Sequence, residues 1–158
     1  MKSDRVLDVI GTLARLGLAA VWLISGVLKV IDPDQTYIAV RAYDVLPDPV
    51  VEVIAALLPW VEIALGVLLL AGNGVRVVAL LSVALLLVFV AGVAQAWARG
   101  LSIDCGCFGG GGAVEPGATT YVQELLRDGG FLLLAGWLLV RPRSFWALDA
   151  RLANTGRT

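Results

Sequence analysis

Two cysteines separated by one glycine are the residues of this chain best suited to chemistry. Cys105 and Cys107 are its only thiols, so any thiol chemistry involves this single pair. A disulfide needs Cα atoms about 4.4 to 6.8 Å apart, and residues i and i+2 reach that range where the backbone bends. Because glycine bends most freely, Gly106 should allow the pair to close on itself.

Three uses of the pair stay open: reversible redox exchange, a structural bridge and a metal site. A bridge around about three residues adds only about 1.6 kcal/mol of stability, which favours exchange. Two thiolates fall short of four tetrahedral ligands, and the chain has no histidine to complete them. We therefore predict that Cys105 and Cys107 are catalytic and that the protein holds no metal.

The sequence does not indicate which cysteine attacks. Asp104, next in the chain, should raise a thiol pKa, whereas backbone amides of the glycine run 109–112 could form an anion-favouring nest and lower it. These two effects oppose each other and leave the attacking thiol open.

Composition indicates a membrane protein. Apolar residues make up 59% of the 158 residues and charged residues 16%, far from the balance of a soluble domain. A net charge of −1 offers no basic excess for phosphates, so nucleic acid is excluded as a partner. The lack of histidine also removes the usual haem and copper ligand.

Four runs are long enough to cross about 30 Å of hydrocarbon. They cover about residues 9–31, 50–71, 75–97 and 121–140, with a tight Gly72–Gly74 turn between the second and third. The sequence therefore predicts an all-α integral membrane protein, a four-transmembrane-helix bundle forming one domain over residues 1–158. Because Glu124, Arg127 and Asp128 interrupt the last run, three spans plus an interfacial helix is the alternative.

Basic residues accumulate on the cytoplasmic side of short-looped membrane proteins, which sets the orientation. With four spans, both termini and the 72–74 turn would be cytoplasmic, and the cysteine loop would face outward, where disulfides persist. This orientation predicts a multi-pass protein of the cell membrane, surrounded by lipid. The basic residues that support it are Lys2, Arg5, Arg76, Arg141, Arg143, Arg151 and Arg157.

Ionisable groups at bilayer depth are costly and need partners. The predicted intramembrane polar cluster consists of Arg15, Lys29, Glu62, Arg127 and Asp128. Similar depths in neighbouring spans predict an ion pair between Arg15 and Glu62. Lys29 is then available for Asp128, because Arg127 shares a helical face with Glu124. The cluster either sets helix order or forms a polar pocket beneath the cysteine loop.

Several motifs together resemble the methylamine utilisation protein E (MauE) family, within the wider DoxX-like membrane proteins. They are Ser25-Gly26 with Lys29, Leu58-Pro59-Trp60 with Glu62 and Gly66, Cys105-Gly106-Cys107-Phe108-Gly109, and Arg127-Asp128. The resemblance implies a four-helix bundle related to vitamin K epoxide reductase, working beside an extracytoplasmic thioredoxin-like protein. In methylamine utilisation that role is maturation of a disulfide-rich dehydrogenase subunit.

The predicted function is thiol–disulfide exchange with that thioredoxin-like partner in the cell envelope. One cysteine pair does not make a complete transmembrane relay, so electrons would leave through a second protein or a quinone. Candidate quinone neighbours are Trp22, Trp60, Trp97 and Trp137, although tryptophans more often anchor or pack helices. The alternative function is a non-catalytic anchor or assembly factor for a soluble oxidoreductase. A transporter is disfavoured by the short chain without repeats.

Overall fold

The computed structural model describes residues 2–108, 110–115 and 119–142. Over these residues the chain forms five helices and one short hairpin. The elements are α1 (Lys2–Ile31), α2 (Pro33–Ala42), α3 (Asp48–Ala71), α4 (Val75–Ala98), β1 (Ile103–Asp104), β2 (Gly112–Ala113) and α5 (Tyr121–Val140). Gly109, Arg143, Arg151 and Arg157, which entered the sequence arguments, lie outside the described residues.

Three helices are long and apolar enough to cross a membrane: α1 from Arg5 to Ile31, α3 and α4. They point large apolar side chains away from the protein, as lipid-facing helices do; Leu13 on α1, Leu57 on α3 and Val77 on α4 are each more than half exposed. This confirms an integral membrane protein. The fourth predicted run is also one helix, α5, whose first half carries the three charges noted above.

Helices α1 and α3 approach each other most closely at two glycines. A Cβ on Gly26 would lie 2.8 Å from the Pro59 carbonyl oxygen, and one on Gly66 would lie 2.7 Å from Leu23 Cγ. Small residues allow such close contact between membrane helices, where lipid offers no hydrophobic drive for association. The contact fixes the register in which α1 lies against α3.

The remaining long helices complete the packing around α1. Helix α5 packs against α1 and α4, and α4 also contacts α3. Trp22 is buried between them, and its indole N–H donates to the Ser82 hydroxyl at 3.0 Å, linking α1 to α4. The predicted tight turn between α3 and α4 is confirmed, because Gly72 and Gly74 both adopt left-handed backbone angles.

Two elements near the cysteines were not predicted. Asp32 caps the short helix α2 by accepting from the Gln35 N–H at 3.0 Å, with Pro33 at its first turn. The hairpin pairs Ile103 with Ala113 in antiparallel register, and α2 packs against β2. Together α2 and the hairpin enclose the cysteine loop.

We expect Gly26→Ala to destabilise the protein, because the added methyl would meet backbone atoms of α3 that a rotamer change cannot move. Overpacking of this kind costs about 1 to 3 kcal/mol. The loss should appear as a lower midpoint for heat-induced loss of the purified protein from detergent solution. Gly136→Ala is the matched control, because a Cβ there meets no atom of the described residues within 4 Å. Equal midpoints for the two variants would contradict close α1–α3 packing.

Candidate functional site

The cysteine loop leaves β1 and bends at Gly106. Its φ of +67° is left-handed, and a Cβ would lie 2.6 Å from Ala39 Cβ on α2, so the position requires glycine. The predicted bend between the two cysteines is therefore confirmed. It brings the backbone N–H of Cys107 to 3.4 Å from Cys105 Sγ.

Side chains from two other elements hold the loop by its carbonyl groups. The Tyr43 hydroxyl, at the end of α2, donates to the Cys105 carbonyl at 3.3 Å. On α1, Ser25 Oγ lies 2.7 Å and Lys29 Nζ 3.3 Å from the Cys107 carbonyl oxygen. The position of Cys107 therefore depends on polar groups inside the membrane helices.

Those groups belong to a buried ion pair between α1 and α3. Lys29 Nζ lies 2.8 Å and 2.9 Å from the two carboxylate oxygens of Glu62, whose side chain is fully buried. Ser25 Oγ accepts from Lys29 at 2.6 Å and lies 3.1 Å from Glu62 Oε2. Lys29, Glu62 and Ser25 thus each have a partner, which buried charges require.

The predicted pair of Arg15 with Glu62 is wrong. Arg15 Nη1 donates to the carbonyls of Leu69 and Leu70 at 2.9 and 3.1 Å, in the last turn of α3. Carbonyls at a helix C-terminus lack intrahelical partners and attract cations. In the register that Gly66 sets, Arg15 lies beside this last turn, and Glu62 lies two turns away, within reach of Lys29.

The predicted pairing of Lys29 with Asp128 is also wrong, because Asp128 forms its ion pair with Arg127. Arg127 Nε lies 3.1 Å from Asp128 Oδ1, and its Nη2 lies 3.5 Å from Cys105 Sγ. The guanidinium also stacks over the Phe108 ring at 5.1 Å. Arg127 therefore links α5 to the cysteine loop, which its place in the sequence did not suggest.

The two thiols have different environments. The neighbouring Cys107 thiol, together with Arg127, lowers the pKa of Cys105 below its ordinary value. The Cys105 thiol, together with burial, raises the pKa of Cys107. Cys105 is 9% exposed, and Cys107 is half-buried and more accessible. Sequence reasoning weighed Asp104 against the glycine amides and missed Arg127; the Asp104 carboxylate accepts from the Gly106 N–H at 3.2 Å.

A second group of polar atoms lies behind Cys105. One ligand atom each from Asp104, Cys105 and Glu124 lies within 4.8 Å of the other two, a spacing that could surround an ion. The guanidinium of Arg127 already contacts the same sulfur and would repel a cation. Sequence reasoning missed Glu124 as a site residue because only the docking of α5 brings it to the cysteines.

A cavity of about 630 Å³ opens beside the thiols, between α2, α3 and α4. Its wall is largely apolar, with Tyr43, Gln95 and Lys29 contributing polar groups near the two cysteines. None of Trp22, Trp60, Trp97 and Trp137 lines it. The structure thus offers a site for an apolar molecule beside the sulfur atoms, at a place different from the predicted tryptophan neighbourhoods.

Comparisons with known proteins agree on one family. The family model described as methylamine utilisation protein MauE matches residues 7–141. The methylamine utilization protein MauE of Paracoccus denitrificans is 39% identical over 98 residues, which cover 61% of this chain and 53% of that protein. The chain thus spans about half the length of this curated relative. No solved structure matches.

The Lys29–Glu62 pair gives a direct test of the site's architecture. Glu62→Leu and Lys29→Met should each lower stability by about 3 to 5 kcal/mol, because each leaves a buried charge without its partner. Combining Lys29→Met with Glu62→Leu should recover much of the loss. The measurement is the thermal midpoint in detergent, with Glu52→Gln, on the exposed side of α3, as control. Strictly additive losses would show that the two residues do not stabilise each other.

Proposed function

Since the chain belongs to the MauE family, we propose that it is the membrane component of a thiol–disulfide exchange system. Its Cys105–Cys107 pair exchanges with the dithiol of an extracytoplasmic thioredoxin-like protein. The observation that carries the proposal is the polarised pair itself, in which Cys105 Sγ accepts from the Cys107 backbone N–H at 3.4 Å and lies 3.5 Å from a guanidinium. A structural bridge has no use for a stabilised thiolate, whereas exchange depends on one.

The asymmetry assigns a role to each cysteine. A partner thiolate attacks the sulfur of Cys107, the more exposed residue of the closed bridge, the S–S bond breaks, and Cys105 leaves as the thiolate that Arg127 stabilises. The bond now joins the partner to Cys107. A second partner thiolate then releases Cys107, so the partner is oxidised to a disulfide and this chain gains two electrons. The same steps run backwards when the chain reduces a partner.

Exchange with such a partner requires the cysteine loop to face outward. We place α5 as the fourth span of a four-helix bundle, with both termini in the cytoplasm. The supporting observation is that α5 packs against α1 and α4, two of the apolar spanning helices, and exposes Leu126, Leu133 and Val140. Arg127 on this helix contacts Asp128 and the sulfur of Cys105, so these charges are paired and do not interrupt the packing.

The relative's printed name and the resemblance suggest the biological setting. We propose that exchange supports maturation of disulfide-containing extracytoplasmic proteins, as in methylamine utilisation. A quinone fits the cavity beside the thiols, because its wall is apolar and both cysteines line it. When bound, a quinone would accept two electrons, and Tyr43 and Gln95 would offer it polar groups in the cavity wall.

The second candidate is a non-catalytic membrane anchor or assembly factor that docks a soluble oxidoreductase. The clamping of the cysteine loop by Tyr43, Ser25 and Lys29 supports it, since a rigid loop is also a good docking surface. The two candidates differ in whether a covalent partner adduct ever forms.

The orientation can be tested with single cysteines in a Cys105→Ser and Cys107→Ser background. Asn73→Cys and Glu115→Cys place thiols on exposed loop residues at opposite ends of the helices. In intact cells a membrane-impermeant maleimide should label Glu115→Cys, and should label Asn73→Cys and a cysteine added after Thr158 only after lysis. Labelling of the added cysteine in intact cells would instead indicate three spans.

The exchange mechanism predicts that the single cysteine variants behave differently. Cys105→Ser should hold a thioredoxin-like partner as a covalent adduct on Cys107, because the resolving thiol is gone. Cys107→Ser should trap at least tenfold less, since Cys105 is 9% exposed. Non-reducing gels with mass spectrometry measure the adduct and its attachment site.

The double variant is the control for this experiment. It should lose the adduct at normal protein abundance. If the double variant fails to accumulate, or if neither single variant traps a partner, the pair is structural and the protein is the non-catalytic anchor or assembly factor.

A further inference from the structure

Glu124 is a buried carboxylate that the exchange mechanism has not used. It lies in the first turn of α5 and is 5% exposed, and its Oε2 has no hydrogen-bond partner among the residues that the structure describes. One of its carboxylate oxygens lies within 4.8 Å of Cys105 Sγ. Such a group is expensive as an anion when buried and gains by taking up a proton.

We propose, resting on the exchange function above, that Glu124 stores the proton that Cys105 does not carry. When the bridge takes up two electrons, the S–S bond breaks and two protons enter the site. One proton goes to Cys107, and the other goes to the Glu124 carboxylate. Cys105 stays a thiolate beside Arg127. The site's charge is unchanged by reduction, and oxidation returns both protons.

The other charged groups around Cys105 are less suited to this role. Asp104 on β1 is half-buried, and its carboxylate accepts from the Gly106 N–H. On α5, Arg127 binds both Asp128 and the sulfur, so Asp128 is already paired with a cation. Glu124 is different, because no ion pair involving it occurs among the described residues.

Groups from the other helices face the pair from the opposite side. Tyr43 donates to the Cys105 carbonyl, and burial with the nearby thiols raises its pKa far above the ordinary value, so it keeps its proton. Lys29, on α1, is bound to Glu62 and the Cys107 carbonyl. Tyr43 therefore keeps its proton while the thiols react, and Lys29 is already paired with Glu62.

The test is the pH dependence of the reduction potential of the Cys105–Cys107 bridge. The purified full chain in detergent is equilibrated with dithiothreitol redox buffers at several pH values, and free thiols are counted by alkylation and mass spectrometry. Two protons per two electrons give a slope of about 59 mV per pH unit, and one proton gives about 30 mV. At pH values above the pKa of Cys105, the native chain should show the two-proton slope, and Glu124→Gln should show the one-proton slope.

Three variants locate the effect. Glu115→Gln, an exposed loop carboxylate, should keep the native slope, and Glu124→Asp should restore it at least in part. If the slope falls to the one-proton value in Asp104→Asn instead, or if the slope of Glu124→Gln equals the native one, the proposal is wrong. Should EDTA remove the difference and Zn²⁺ restore it, the cluster of Asp104, Cys105 and Glu124 binds a metal and the proposal also falls.

A spectroscopic measurement on the native chain does not depend on any variant folding. The infrared difference spectrum between reduced and oxidised protein should show a protonated carboxylic acid that appears on reduction. Its absence would overturn the proposal. Because these measurements need no partner, they separate two failures: equal slopes remove the Glu124 role alone, whereas a bridge that never cycles removes the exchange function itself.

Discussion

The ion pair between Lys29 and Glu62 is the interaction on which the rest of the site depends. In hydrocarbon neither charge can stay alone, so the pair joins α1 to α3 at one register. Lys29 Nζ and Ser25 Oγ also reach the Cys107 carbonyl, at 3.3 and 2.7 Å. The same polar cluster therefore connects two membrane helices and sets the height of the cysteine loop above them.

The sulfur of Cys105 is positioned by a different element, helix α5. Arg127 on α5 lies 3.5 Å from Cys105 Sγ and is itself held by Asp128 and by the Phe108 ring. One sulfur is thus positioned through α1 and α3, and the other through α5. Different surroundings for two chemically identical residues give the pair its polarity, with a lowered thiol pKa at Cys105 and a raised thiol pKa at Cys107, the more exposed residue.

The cysteine site lies where all of these helices meet, which explains how so small a protein can form such a site. Helix α2 covers the loop, and the left-handed turn at Gly106 lets the chain pass against Ala39. The cavity between α2, α3 and α4 reaches both cysteines through an apolar wall. A thiol pair between a polar anchor and an apolar cavity suits exchange between a soluble partner and the membrane, the function that we propose for this family member.

Sequence alone determined the membrane class, the positions of α1, α3, α4 and α5 and the bend at Gly106, because run length, hydropathy and glycine conformation are local properties. It gave no sign of α2 or the hairpin as elements that enclose the loop. It singled out the charged residues Arg15, Lys29, Glu62, Arg127 and Asp128 but not their partners. Tertiary structure alone decided that Lys29 binds Glu62, that Arg15 caps α3, and that Arg127 and Glu124 reach Cys105. Those contacts depend on helix register and side-chain reach across the packed helices, which no local pattern contains.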